Sequence, residues 1–285
     1  VSKINIGGQA VLEGVMMRSP ELQAIAVRTP DGAIVTEVDK LNPLAKRWPI
    51  LGWPLIRGVT ALYEAMAGAI SSLNRSAQLL APEEEIPAWQ MALTAVLALA
   101  LGIGLFFLLP AVLVNPLSRW APPLVLNMAE GLVRVLLFVG YLFLIGLSRD
   151  IRRTFAYHGA EHKSISCWEQ GRPLLPEEAA TCSRLHPRCG TSFLLLVVGL
   201  SILLFSLFTP VNILTKLLLR LALLPLLAGI AYELTRWTAK SKSSLARLVL
   251  APGLLLQKLT TREPDMEQLE VAIAALKAVV DPGES

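Results

Sequence analysis

Four long apolar runs decide what this chain can fold into. They cover residues 89–114, 124–147, 192–208 and 217–234. An α-helix needs about 20 apolar residues to cross a bilayer. Inside hydrocarbon the backbone must satisfy its own polar groups, so such runs are helices. Charged residues make up only 17% of the chain and the mean hydropathy is +0.56, where a soluble domain carries roughly 25% charged residues. The sequence therefore predicts an all-α integral membrane protein with about four transmembrane helices. Segment 48–80 is apolar but interrupted by Pro49, Pro54, Arg57 and Glu64. Its small residues and scattered charges suit an interfacial or re-entrant helix.

Charge sets the expected orientation. The connection between the first two runs holds Arg119, and that between the last two holds Lys216. Residues 148–191 carry Arg149, Arg152, Arg153, Lys163, Arg172, Arg184 and Arg188, and more basic residues follow the fourth run. The basic side is cytosolic by the positive-inside rule, so both termini and the central segment are expected in the cytosol. Their cysteines are then thiols or metal ligands. The net charge of +4 needs no nucleic acid to explain it, since no basic stretch is interleaved with aromatics. Val1 to Pro20 has no signal-peptide pattern, so targeting is expected to rest on the internal spans.

The expected organisation is a cytosolic β cap (1–47), an interfacial or re-entrant helix (48–80), a transmembrane hairpin (89–147), a cytosolic His/Cys loop (148–191), a second hairpin (192–235) and a cytosolic tail (236–285). In the cap, two alternating runs flank Thr29-Pro30-Asp31-Gly32, the pattern of a β-hairpin. Before it, Gly7 to Arg18 holds three glycines with Glu13 and Arg18. That suits either a tight turn with a local salt bridge or a backbone that comes close to a site. In the tail, Leu269, Ile273, Leu276 and Val280 recur at helical spacing.

All three histidines and all three cysteines fall between Tyr157 and Gly190. His158, Glu161 and His162 form an H-x-x-E-H pattern, and on a helix they share one face. Two imidazoles one turn apart can hold a divalent metal, with zinc the usual choice for nitrogen donors. Glu161 is then placed as general base toward the water that the metal activates. The third donor is open between Glu233 at the end of the fourth run, His186 and Cys189. Cys182, His186 and Cys189 offer instead a structural zinc set. Cys167 reads as a packed or free thiol.

Five stretches carry a family resemblance. They are Gly7 to Arg18, Tyr157 to Lys163, His186 to Phe193, Tyr232 to Leu234 and Leu259 to Pro264. Together, in this order, they resemble the YqhQ-like family of bacterial membrane proteins, which carry domain of unknown function 1385 and are labelled a predicted metal-dependent enzyme. Cys182 lies outside that family's pattern. The resemblance implies a bacterial plasma-membrane location and a metal-dependent activity of unspecified chemistry.

The expected function is a metal-dependent hydrolase of zinc type at the cytosolic membrane surface. A site at the bilayer edge favours a peptide or lipid-linked substrate. Arg188 or Arg262 is placed to hold an anionic group, with Glu13 and Arg18 as further substrate-binding candidates. The competing expectation is a transporter, lipid translocator or assembly factor with a structural metal or none. Glu130 with Arg134, and Arg57 with Glu64, would then line a polar path.

Overall fold

The computed structural model describes residues 6–81, 87–208, 212–241 and 243–281. The N-terminal segment is a four-stranded antiparallel sheet, larger than the single expected hairpin. Strands β1 (Gly7–Val11), β2 (Gly14–Arg18), β3 (Leu22–Arg28) and β4 (Ile34–Lys40) pair in sequence order. The expected hairpin is β3–β4; Gly32 at φ +88° closes its turn, a conformation that costs glycine little. The glycine-rich stretch is a second hairpin, β1–β2, which turns at Leu12 and Glu13. Glu13 and Arg18 do not pair with each other there. Glu13 bonds Arg153 and Arg18 bonds Glu64.

The helices described are α1 (Leu44–Arg47), α2 (Ile56–Leu80), α3 (Ala88–Ile103), α4 (Leu109–Val114), α5 (Pro123–Ile145), α6 (Arg149–Glu169), α7 (Pro176–Ala180), α8 (Gly190–Ser206), α9 (Ile213–Lys240), α10 (Ser244–Thr260) and α11 (Met266–Val280). Strand alternation gives the sheet two apolar faces. Val15, Met17, Ala24 and Ala26 face one way and pack with α6 and α11. Val11, Met16, Ile25 and Val27 face the other way, toward Leu79 of α2.

The C-terminal segment is therefore no loose tail. Helix α11 starts at a capping box between Asp265 and Gln268, which satisfies two orphan backbone donors. Leu269, Ile273 and Leu276 are buried against the sheet and α6. The periodicity marked an amphipathic helix; the sheet supplies the apolar face that covers it. Residues 148–191, expected as a loop, are helical through α6 and again in α7.

Among the described residues three stretches are long and apolar enough to cross a membrane: Ala92–Arg119, Pro123–Ile145 and Leu214–Ala239. The third expected run forms α8, which has 17 residues. That is about 25 Å of helix, short of the ~30 Å hydrocarbon thickness. Beside the shorter apolar α8, three helices among the described residues therefore meet the length and composition of a span. The last expected run, 217–234, extends at both ends, because Lys216, Glu233 and Arg236 end the hydropathy signal without ending the helix. The first is interrupted by a π-helical turn at Gly104–Leu108 between α3 and α4.

Helix α2 is two-faced. Val59, Tyr63, Met66, Ile70 and Leu73 recur every three or four residues and are exposed. The opposite face carries Glu64, Ser72 and Ser76, which bond Arg18, Gln23 and the backbone N–H of Leu12 in the sheet region.

Candidate metal centre

Helix α6 sets the register of the site. His158, Glu161 and His162 lie on one of its faces, as the spacing requires, and the two imidazole centroids are 4.4 Å apart. Each ring is oriented by a backbone carbonyl. His158 Nδ1 lies 2.8 Å from Thr260 O, and His162 Nδ1 lies 2.6 Å from Arg184 O. A carbonyl oxygen can only accept, so both Nδ1 atoms carry the proton. In the neutral ring this leaves Nε2 as the donor atom, and that of His158 faces Cys189 Sγ. This is the tautomer that an outer carbonyl partner imposes on metal-ligating histidines.

Cys189 brings the third donor. It is the N-cap of α8, where the helix terminus favours negative charge. Its Sγ lies 3.3 Å from His158 Nε2. The donor atoms of His158, His162 and Cys189 all fall within 4.8 Å of one another, the single such group among the described residues.

Glu161 is 4% exposed, and among the described residues its Oε2 has no hydrogen-bond partner. Burial pushes its carboxyl above the usual carboxylate range, opposed by His158 and His186. Burial also lowers His162, which keeps that imidazole neutral, the form that ligates. The cavity here is about 90 Å³, and its lining includes Gly8, Glu161, His162, Arg188 and Cys189. Two imidazoles, a thiol and a carboxylate oxygen without a partner among the described residues fit a borderline-soft divalent ion such as zinc. On a tetrahedral ion these three donors would leave one position for water or substrate.

Two glycines hold this arrangement close. A Cβ at Gly8 would meet Met16 O at 2.6 Å and Glu161 Oε1 at 3.0 Å, so β1 closes directly over the carboxylate. The glycine-rich stretch is thus a backbone in contact with the site. A Cβ at Gly159 would lie 2.0 Å from Arg262 O, so the 259–264 stretch crosses α6 at contact distance. That crossing delivers Thr260 O to His158.

The other sequence candidates lie elsewhere. Glu233 is held by Arg57, with bonds of 2.6 and 2.5 Å from Nε and Nη2. It joins α9 to α2 and is outside the three-donor group. The His186 ring is 5.7 Å from that of His162, but its Nε2 pairs with Glu169 Oε2 at 3.2 Å. Arg188 lines the cavity while bonded to Glu169. Arg262 is exposed, and what it gives the site is its backbone, whose N–H bonds Phe155 O at 2.9 Å. Glu13 and Arg18 are occupied by Arg153 and Glu64. Cys182 sits beside Arg172 Nη1 at 3.4 Å, outside the three-donor group. Burial, with Cys182 beside it, pushes the Cys167 thiol up to about 11.

Several supporting residues escaped the sequence reading. Gln257 is fully buried and bonds both the N–H and the C=O of His186, along with Ser192 Oγ. Nothing in the pattern of α10 marks it. Lys163 bonds Ala180 O at 2.8 Å and Cys182 O at 3.0 Å. It thereby fixes the loop whose Arg184 carbonyl orients His162. Lys163 and the 259–264 stretch both lie in motifs that the sequence had singled out, which was the available signal.

Residues 53–282 match the family model described as "Protein of unknown function (DUF1385)". The chain is also 34% identical over 300 residues to the "Uncharacterized protein YqhQ" of Bacillus subtilis (strain 168), an alignment covering 96% of this chain and 92% of that protein. No solved structure matches.

Proposed function

The chain belongs to the DUF1385 family of proteins of unknown function, and from the geometry we propose that it is a metal-dependent hydrolase working at the cytosolic membrane surface. The observation that carries this reading is the meeting of His158, His162 and Cys189 donors beside the buried Glu161, whose Oε2 has no partner among the described residues. A zinc-type ion held there would act as a Lewis acid on a carbonyl or phosphoryl oxygen and lower the pKa of water. Glu161 is the general base that takes the proton. Its buried position raises its proton affinity toward the working range of such a base. The carbonyls of Thr260 and Arg184 keep both imidazoles in the ligating tautomer throughout.

The cavity admits only the reacting group, so the rest of the substrate lies outside it. The exposed apolar stripe of α2, preceded by exposed Trp48 and Trp53, is what a helix lying in a membrane interface presents. This supports a peptide or lipid-linked substrate delivered along the bilayer, with Arg188 at the cavity wall to meet an anionic group.

Cobalt substitution tests the assignment without needing the substrate. Protein loaded with Co²⁺ should show a sulfur-to-metal charge-transfer band that disappears in Cys189→Ser and persists in Cys182→Ser. A wild-type spectrum without that band, at full cobalt loading, would remove Cys189 from the site.

A further inference from the structure

The far end of the helical bundle, away from the sheet, carries a second cluster that the proposed hydrolase chemistry does not use. Glu130 is the single acid between residues 87 and 149, and no acid occurs from 179 to 232. In the fold, Glu130 is 1% exposed and bonds three cations at once. Arg134 Nη2 reaches its Oε1 at 3.1 Å, Lys216 Nζ and Arg220 Nη2 reach its Oε2 at 2.7 and 2.9 Å, and Arg220 Nη1 closes on Oε1. One carboxylate thus faces three positive charges, and both its oxygens are fully used. From the starts of α5 and α9, Glu130 and Arg220 each lie about 10 Å along the helix, within the apolar zone.

The three cations are not equivalent. Arg134 is satisfied internally: Nε donates to Phe106 O at 2.8 Å and Nη1 to Ser201 Oγ at 3.1 Å. Phe106 lies in the π-helical turn, a distortion common at functional positions. Lys216 is different. Its side chain is 23% exposed, and among the described residues Glu130 is its one acceptor. Lys216 and Arg220 line a small cleft with Asn127, Phe205 and Phe208. The cleft interior is only about 10 Å³, so an anion would have to sit at its mouth. Around that mouth Leu207, Leu214 and Leu218 are exposed, as they would be toward lipid chains. Trp120, 89% exposed at the turn before α5, suits the headgroup level.

Buried positive charge in a membrane is costly unless something neutralises it, and among the described residues Glu130 is the one acid that pairs with these three cations. From this excess and the part-exposed ammonium we infer that Lys216, with the buried charge of Arg220 behind it, binds the phosphate of an anionic lipid headgroup at the far end of the bundle. The site is independent of the metal centre.

The test uses the purified full chain in a neutral detergent at constant ionic strength. Thermal unfolding is followed while phosphatidylglycerol, phosphatidylcholine of the same acyl chains, or inorganic phosphate is added. A ligand of the folded state raises the midpoint in a saturable way. Phosphatidylglycerol should do so at about tenfold lower concentration than phosphatidylcholine, a difference of about 1.4 kcal/mol in binding. Lys216→Gln should lose that preference and Lys216→Arg should keep it. The lipid-dependent shift, read against each variant's own lipid-free midpoint, separates binding from any change in folding. A full shift from inorganic phosphate with none from lipid would overturn the lipid assignment. A phosphatidylglycerol shift unchanged in Lys216→Gln, or no shift from any of the three, would overturn the site.

Discussion

Gly159→Ala tests how the C-terminal stretch supports the metal centre. The new methyl would sit 2.0 Å from Arg262 O, a backbone atom with no rotamer to relieve it. Relief needs a backbone shift of roughly 1 Å, and overpacking of this kind costs about 1–3 kcal/mol. The stretch that moves also carries Thr260 O, which orients His158 Nδ1 at 2.8 Å, and the Arg262 N–H to Phe155 O bond at 2.9 Å. A shift of that size takes both beyond hydrogen-bonding range. Losing an outer-shell partner of a ligating histidine typically weakens metal binding about 10–100-fold. The assay is competition with a chromophoric zinc chelator, alongside thermal unfolding of the metal-free protein. Zinc affinity should fall within that range and the unfolding midpoint should drop. An alanine variant with wild-type affinity and midpoint would refute the claim that this crossing holds His158 in place.

Other substitutions separate the roles of the remaining groups. Glu161→Gln should retain zinc and lose hydrolysis of whichever substrate a peptide and lipid-linked screen identifies; loss of zinc, measured by metal analysis, would make Glu161 a ligand. Glu233→Gln should leave zinc affinity unchanged, because its partner is Arg57, and should cost about 1 kcal/mol or less for a part-exposed ion pair; chelator competition and unfolding read the two effects. Glu130→Gln leaves Arg134, Lys216 and Arg220 without their carboxylate. It should cost about 3–5 kcal/mol, the usual penalty for breaking a buried pair from one side, read as a sharp fall in the detergent-solubilised unfolding midpoint.

The parts of the fold set by local periodicity could be read from the sequence. The H-x-x-E-H spacing placed His158, Glu161 and His162 on one helical face, and α6 has that geometry. The Pro30-Asp31-Gly32 turn and the amphipathic repeat of α11 were legible for the same reason. What depends on long-range packing was not. Glu233 stood as a candidate third donor at the end of the fourth run, because no local rule shows that Arg57, 176 positions earlier, answers it. Cys189 could not be ranked above His186, since both lie close in sequence and only the Glu169 contact takes His186 away. The β1–β2 hairpin was obscured by its glycines, which also read as a turn. Of these glycines, Gly8 answers a steric demand from Met16 O and from Glu161, the latter about 150 residues downstream, and Gly14 answers one from Ala26 and Val27 in β3; no local pattern reveals either.

The most direct measurement is the metal content of the purified chain by inductively coupled plasma mass spectrometry, compared with His158→Ala, His162→Ala and Cys189→Ser. Stoichiometric zinc or another divalent ion in the wild type, lost or strongly reduced in all three variants, is the expected result. Wild-type protein that stays metal-free even when produced with added zinc would contradict the metal centre, and with it the proposed hydrolase.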